Sequence, residues 1–474
     1  MARIFLTNSP LLSFHTLQAL FPNGTPLNLQ IIAGALEKEG HEVKIFDSQS
    51  LSPLHKDFLF ALESFKPDIV GFSNSEIPNT GVIISVASIL KKKYPQIKFM
   101  AGGQIPTFKS ELFLGRDKPF DVLVLYEAET TVAAIVKVLL QGSSFENTPG
   151  AAWFGADGAI KYSKKNEAAC ILDSFPLPSW KESFKKASFS KGLAATLETS
   201  RGCPYHCSFC SIPAFYGSKP RYKSVKRILQ ELKTLKSLGV TEVYFIDDSF
   251  ATKTEAAREL FEEMIREKLN MNFLIQIRAD IISSNPKLIE LAKKAGMFIA
   301  VVGFEGYTSK VQDGAKKGNS DKINIEASKL LRSLGIAVFG THVFGPPKSG
   351  WLDNWITFRK GRQNSDIFRM TIFTPLPGSK IYFELLKNKG LNSNKSEDFY
   401  EGKYLIKDNH KPLLMQLAYF GLLVLHYICP GTILKAISHP NRIIRVFNQR
   451  AYKGAFRFVF GKILSALSFN GALK

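Results

Sequence analysis

A chain of 474 residues, 45% hydrophobic and 22% charged, has the apolar content for two or three folded domains and excludes a disordered or low-complexity protein. Its five cysteines exclude a disulfide-stapled scaffold; three of them, Cys203, Cys207 and Cys210, fall within eight residues, which points to metal binding in a reducing compartment. The net charge of +21 favours anionic partners, and it is uneven: residues 409–474 hold nine Lys and Arg and no Asp or Glu.

The opening Met1–Leu6 has neither the long apolar core nor the small-residue cleavage site of a signal peptide, and reads as a first strand. A cytoplasmic location is expected. Short apolar runs at Ala2–Thr7, Val43–Phe46, Ile69–Phe72, Lys98–Ala101 and Val122–Leu125 alternate with helical spacing at Leu27–Glu39, Val82–Lys92 and Thr130–Leu140. That alternation predicts an α/β unit over 1–145, a doubly wound, Rossmann-like parallel sheet. Such sheets bind ligands at the carboxyl ends of their strands. Here those ends carry Asn8–Pro10, Ser73–Ser75, Gly102–Gln104 and Glu127–Glu129.

Residues 146–190 read as a connector, with a hairpin over Ala151–Tyr162 and the Pro-rich Phe175–Pro178. The alternation resumes over 191–388. Strands are expected at Leu193–Glu198, Glu242–Ile246, Phe273–Ile277, Phe298–Val302, Ala337–Phe344 and Phe368–Phe373, with helices such as Val225–Leu238 and Thr254–Glu267 between them. Six strand–helix units fit a partial (β/α)6 barrel, whose chemistry sits at the strands' carboxyl ends. Residues 389–474 then form a basic, apolar helical region. Within it Leu413–Cys429 is apolar except for Gln416 and His426, and its seventeen residues fall short of the roughly 20 that a bilayer span needs. A buried or interfacial helix is expected.

Cys203-x3-Cys207-x2-Cys210 places three thiolates on one loop after the first barrel strand. A cubane cluster usually takes one cysteine per iron, so three ligands leave one iron open to a substrate or cofactor. A structural zinc site would want a fourth ligand; His206 is adjacent to Cys207 and cramped, and no other Cys or His pair follows at zinc spacing. Cys170 and Cys429 stand alone and read as small core residues.

This loop, with Phe209 just before the last cysteine, resembles the signature of the radical S-adenosylmethionine (SAM) superfamily. The resemblance implies a [4Fe–4S] cluster on Cys203, Cys207 and Cys210, whose open iron chelates SAM and whose electron cleaves it to a 5′-deoxyadenosyl radical. Ile246–Phe250, Ile277–Asp280, Gly303–Gly306, Gly340–Pro347 and Thr374–Ser379 match the family's barrel-strand ends. By resemblance Phe209 touches adenine, and Asp247, Arg278, Glu305 and Thr374 lie around SAM.

The amino-terminal unit, through Pro26–Leu29, Lys66–Ser73 and Ala101–Thr107, is similar to the cobalamin-binding subclass. Ser73, Gly102, Gly103 and Glu127 are then the expected cobalamin contacts, the small ones letting a flat corrin approach the backbone. The Asp-x-His-x-x-Gly motif of base-off mutases is absent, as it commonly is in radical SAM relatives. Tyr126–Glu129 stands where many relatives have Gly-Glu-Gly-Glu, which adds bulk near the corrin face.

Together these features imply cobalamin-dependent methylation of an unactivated carbon in a small-molecule or lipid-like substrate, with an electron donor such as ferredoxin or flavodoxin. Radical cyclisation or oxidation on the same scaffold is the alternative. A cobalamin sensor or carrier would leave the three-cysteine loop unexplained. A tRNA methylthiotransferase would need further cluster cysteines, and no Cys precedes Cys170. Between Ile433 and Phe460 Arg and Lys alternate with Ile, Val and Phe, which suits a cap over the barrel mouth first. Peripheral contact with the anionic inner face of a membrane comes second, and nucleic acid last.

Overall fold

The computed structural model describes residues 1–8, 26–48, 55–75, 77–165, 171–180, 193–393 and 403–439, and beyond these 442, 444–446, 448, 449 and 452. In the first sheet β1 (Arg3–Asn8), β2 (Glu42–Phe46), β3 (Ile69–Ser73), β4 (Lys98–Gly102) and β5 (Val122–Val124) are parallel, in the order β2-β1-β3-β4-β5. Strand residues alternate between two cores. Ile4, Leu6, Met100 and Val122 pack with helices Leu27–Lys38 and Val132–Gln141; Phe5, Val70, Phe99 and Leu123 pack with Lys56–Phe65 and Thr80–Lys93. Burial on both faces is what makes these strands short apolar runs. The chain reverses direction across the sheet between β1 and β3, which opens a crevice at their carboxyl ends.

β6 (Ala151–Phe154) and β7 (Ile160–Tyr162) form the expected hairpin, which extends this sheet antiparallel to β5 by pairing Ala152 with Leu123. The sheet therefore continues past residue 145 into the segment read as a connector.

The second sheet begins with β8 (Leu193–Leu197). A short ladder of β9 (Ser200–Arg201) and β10 (Arg221–Tyr222) follows, then β11 (Val240–Phe245), β12 (Asn272–Ile277), β13 (Met297–Glu305), β14 (Ala337–Phe344) and β15 (Ile367–Ile372). Apart from that ladder the strands are parallel and adjacent in chain order, β8-β11-β12-β13-β14-β15. Ala194 of β8 shares one buried cluster with Phe339 of β14 and Ile367 of β15, so the sheet curls into a partial barrel. Outside it, Phe245, Phe250, Phe261 and Phe273 interlock at 5.4–5.8 Å between ring centroids. Each such buried aromatic stabilises the fold by about 1.5–3 kcal/mol.

The edge strand β15 is covered by helix Pro412–Ile428: Met415 and Tyr419 pack with Phe344 and Phe373, and the Tyr419 hydroxyl donates to the Met370 carbonyl at 3.0 Å. Helix Pro430–Ser438 follows after a 51° bend. Lys435 Nζ donates to the Ser365 carbonyl at 3.0 Å, and Ile444 is buried with Ala194 and Ile367 at the strand starts. The described residues of the tail thus run down the barrel's flank and close its base. The described part of the tail is therefore not the expected cap over the mouth: its apolar face matches an edge strand that needs cover. Ile443, Phe447, Arg450 and residues 453–474 lie outside the described residues. Among those described, no single helix is long and apolar enough to cross a membrane.

Candidate active site in a cleft between the two sheets

The cysteine loop is anchored before its first cysteine. Asp247, just after β11, is buried and accepts the Thr199 hydroxyl and the Ser200 hydroxyl, both at 2.6 Å, and the Thr199 amide at 3.1 Å. Asp248 accepts the Gly202 amide at 2.9 Å. Gly202 has φ 85°, and a Cβ there would stand 3.1 Å from the Gly217 carbonyl, so glycine is required at the turn into the cysteines. Further on, the Ser208 amide and hydroxyl donate to Ala315 and Gly314 (3.1 and 2.8 Å), and Arg278 lies 3.7 Å over the ring of Tyr205.

Burial pushes all three cysteine thiols up, Cys210 to about 12; Cys207 raises Cys203 further, both other cysteines raise Cys210, and Glu305 raises Cys207. Lys317 and Arg278 act against this at Cys207. Their positive charge favours thiolates, the form that binds iron. Among the described residues no three His, Cys, Asp or Glu side chains converge on a point that one metal ion could fill. Zinc gathers its ligands within about 2.3 Å of one centre, whereas a cubane spreads one cysteine to each iron. The donor set, three cysteines on one short loop, suits a cluster that takes one cysteine per iron, whereas a structural zinc site would want a fourth ligand. Cys170 lies outside the described residues; Cys429, expected in a core, is only partly buried at the bend between two helices, where the Arg362 side chain lowers its thiol.

The expected SAM residues take up different positions. Glu305 ends β13 after a register shift that re-aims it. It is buried, has φ 58°, and meets Lys317 Nζ at 2.6 Å. Arg278 grips Asp280 (2.9 Å) and the Lys317 carbonyl (2.7 Å). Phe209 packs edge-on to Phe373, 6.2 Å away, and Thr374 is half-buried just beyond β15. Asp247 departs from expectation. Its carboxylate is occupied by loop donors, so it holds the loop instead of offering a free contact to SAM.

The expected cobalamin residues do share one cleft. Ser73, Gly102, Gly103 and Glu127 line it, and so do Arg201, Phe215 and Tyr216 from the cysteine-loop side. A Cβ on Gly103 (φ 107°) would stand 2.6 Å from the Asn74 carbonyl, and one on Gly102 3.1 Å from the Val124 carbonyl. Glu129 Oε2 is buried here without a hydrogen-bond partner. A bare backbone ledge and an unmet carboxylate oxygen fit a flat ligand with amide-bearing edges. Tyr126 adopts φ 57°, in the left-handed region, and its ring stacks obliquely on Phe215 at 6.1 Å.

A buried ion cluster joins the two sides. Arg201 contacts Glu127 at 3.1 Å, Glu129 at 2.6 Å and Glu198 at 2.8 Å, and Arg221 contacts Glu127 at 2.7 Å. Burial opposes the charge on Glu198, but Arg201 and Lys223 outweigh it and hold the carboxyl below its usual range. Ser211, next to Cys210, donates to Gln104 Oε1 at 3.2 Å and adds a second tie.

A B12 binding domain model matches residues 19–136, and the Radical SAM superfamily model matches residues 197–351. The chain is a radical SAM protein with an amino-terminal B12-binding domain. The hopanoid C-3 methylase of Methylococcus capsulatus is 27% identical to this radical SAM protein over 362 residues, covering 75% of this chain and 68% of that one. An uncharacterized methyltransferase of Pyrococcus horikoshii is 25% identical over 449 residues, covering 92% and 94%. Among solved structures, the radical SAM methyltransferase TsrM from Kitasatospora setae, with cobalamin and a [4Fe–4S] cluster bound, superposes with a TM-score of 0.67 at 16% identity, covering 83% and 76%. The two sheets of this protein thus have the cobalamin radical SAM fold.

Sequence reasoning missed Asp248, Lys317, Arg201, Arg221, Glu198 and Tyr216. Arg201 directly precedes Gly202–Cys203, a position that could have flagged it. Lys317 sits in Lys316–Lys317–Gly318, which reads as an ordinary solvated charge run.

Proposed function

We propose that this protein is a cobalamin-dependent radical SAM enzyme that methylates an unactivated carbon of a lipid-like molecule. The observation that carries this reading is the cleft itself. One wall is the glycine ledge of the first sheet, and the other begins two residues before Cys203. The bound groups would supply the one-electron cleavage of SAM and the methyl relay. Cys203, Cys207 and Cys210 would hold the cluster, with Phe209, Glu305 and Thr374 toward SAM. Gly102, Gly103, Ser73 and Glu127 would hold cobalamin. Lys317 and Arg278 keep positive charge beside the thiolates, and Asp247 and Asp248 fix the loop.

The hopanoid methylase among the relatives supports a lipid-like substrate, and so does the apolar tail. A surface of +21 net charge suits an acidic low-potential donor such as ferredoxin or flavodoxin in the cytoplasm. We place the hairpin of β6 and β7 with the amino-terminal unit, because it completes that sheet.

The test is to supply the loaded enzyme with SAM bearing a deuterated methyl group and a panel of hopanoid and isoprenoid lipids. A lipid product heavier by one labelled methyl is expected. A dehydrogenated or cyclised product without the label would replace this reading with the oxidation or cyclisation alternative.

A further inference from the structure

Helix Trp351–Gln363 and the tail helices Pro412–Ile428 and Pro430–Ser438 lie on the outer flank of β14 and β15. Trp351 meets His410, just before helix Pro412–Ile428 (ring centroids 6.1 Å apart), and Arg362 meets Thr432 of helix Pro430–Ser438 (3.4 Å). Their outward residues are apolar. Leu352 is 69% exposed and Leu413 64%, with Trp351, Trp355, Leu417 and Ile428 also exposed, and Leu434 and Ile437 continue the face onto helix Pro430–Ser438. Isolated exposed apolar residues need no explanation; this many on three adjoining helices do.

Behind the face lies a cavity of about 290 Å³ lined by Arg359, Arg362, Ser365, His426, Thr432 and Lys435. Among the described residues none of its three cations pairs with a carboxylate. The one carboxylate on its wall, Asp366, is taken by Arg332 at 3.0 Å. Ser365 Oγ and His426 Nδ1 are buried there without hydrogen-bond partners. Cations without a carboxylate partner and unmet polar atoms in one cavity suit a tetrahedral oxyanion.

We propose that this flank docks on an anionic phospholipid bilayer. Trp351, Trp355 and the leucines would enter the boundary between headgroups and acyl chains, and a lipid phosphate would occupy the Arg359–Arg362–Lys435 cavity. Tryptophan suits that boundary, and stable attachment needs both apolar insertion and charge. The composition of the tail, nine basic and no acidic residues over 409–474, suits an anionic surface. The 51° bend lays the two tail helices along a surface. The Trp351 end lies by the carboxyl end of β14, beside the barrel mouth, so a bilayer lipid reaches the mouth from its flank. The docking does not depend on which reaction the site performs.

The test is flotation of the full-length, cluster-loaded protein with vesicles of phosphatidylcholine alone or with phosphatidylglycerol added. The protein should float with anionic vesicles only. Leu417→Ser with Ile437→Ser should abolish flotation. Arg362→Gln and Lys435→Gln should each weaken it about fivefold at unchanged iron content. Inorganic phosphate should compete with wild type and not with the Arg362→Gln/Lys435→Gln pair. No flotation, or equal flotation with neutral vesicles, would overturn the proposal. So would a stable dimer that the serine variants dissolve, which would make the face an interface between copies of this chain.

Discussion

Arg201 and Glu127 stand 3.1 Å apart across the seam between the barrel and the amino-terminal sheet. The same guanidinium also reaches Glu129 and Glu198, so one residue, two positions before Cys203, ties the cysteine loop to the cleft's far wall. Arg201→Met leaves Glu129 and Glu198 buried without their main cation. Breaking a buried pair from one side costs about 3–5 kcal/mol. Denaturant unfolding of the variant should show a loss of that size, and cobalt retention after loading should fall with it. Arg201→Lys keeps the charge but cannot span three carboxylates, and should fall between.

The glycine ledge makes a separate prediction. Gly103→Ala puts a Cβ 2.6 Å from the Asn74 carbonyl at φ 107°. Backbone strain alone should cost about 1–3 kcal/mol. Cobalamin binding should weaken more than iron loading, because the ledge lines the cleft and not the cysteine loop. Equal loss of both would mean that the substitution unfolds the protein generally.

Two buried histidines add to the acid sensitivity of the fold. Burial pushes His342 down to about 4 and His426 to about 3. The folded chain keeps both neutral, while the unfolded chain takes up protons below about 6.5. Their stabilising effect is complete above that value and declines as pH falls from 6.5 toward 4. The decline approaches about 1.4 kcal/mol per pH unit for each histidine at the lower end, and comes to about 3 kcal/mol for both between pH 6.5 and 5. His342→Phe should halve that slope in thermal or denaturant unfolding, since its ring already packs among Phe304, Tyr307 and Phe368.

Tyr126→Gly tests the bulk added at the corrin face. Removing a non-glycine residue from φ 57° relieves about 1–2 kcal/mol, offset by the lost contact with Phe215. Stability should change little and cobalamin affinity should rise in equilibrium dialysis. A fall in affinity would show that the ring itself supports the ligand.

The strands of both sheets were legible because their apolar runs are short, separated by turns and buried on two faces; Ile69–Phe72 and Ala337–Phe344 fall within a residue of β3 and β14. The glycine ledge was legible too, since Gly102–Gly103 ends a strand in a sheet of known ligand polarity. The Arg201 cluster was not. Glu127 and Arg201 are 74 residues apart, and only the docking of two domains brings them together. Asp247 shows the converse. Its position at a strand end is right for a ligand contact, but Thr199 and Ser200 reach its carboxylate first. The described part of the tail was misplaced because apolar periodicity says that a face is buried and not which strand buries it.

The proposed chemistry needs three cysteines holding a cluster beside a cobalamin cleft. The most direct measurement is the iron and cobalt content of protein purified and reconstituted without oxygen, in the presence of hydroxocobalamin, alongside the Cys203→Ala, Cys207→Ala and Cys210→Ala variants. Wild type should retain about four irons and one cobalt per chain and, with a reductant, release 5′-deoxyadenosine and S-adenosylhomocysteine from SAM. Each variant should lose iron and both products while keeping cobalt. Iron retained undiminished in the variants, or no iron bound by wild type, would contradict the account.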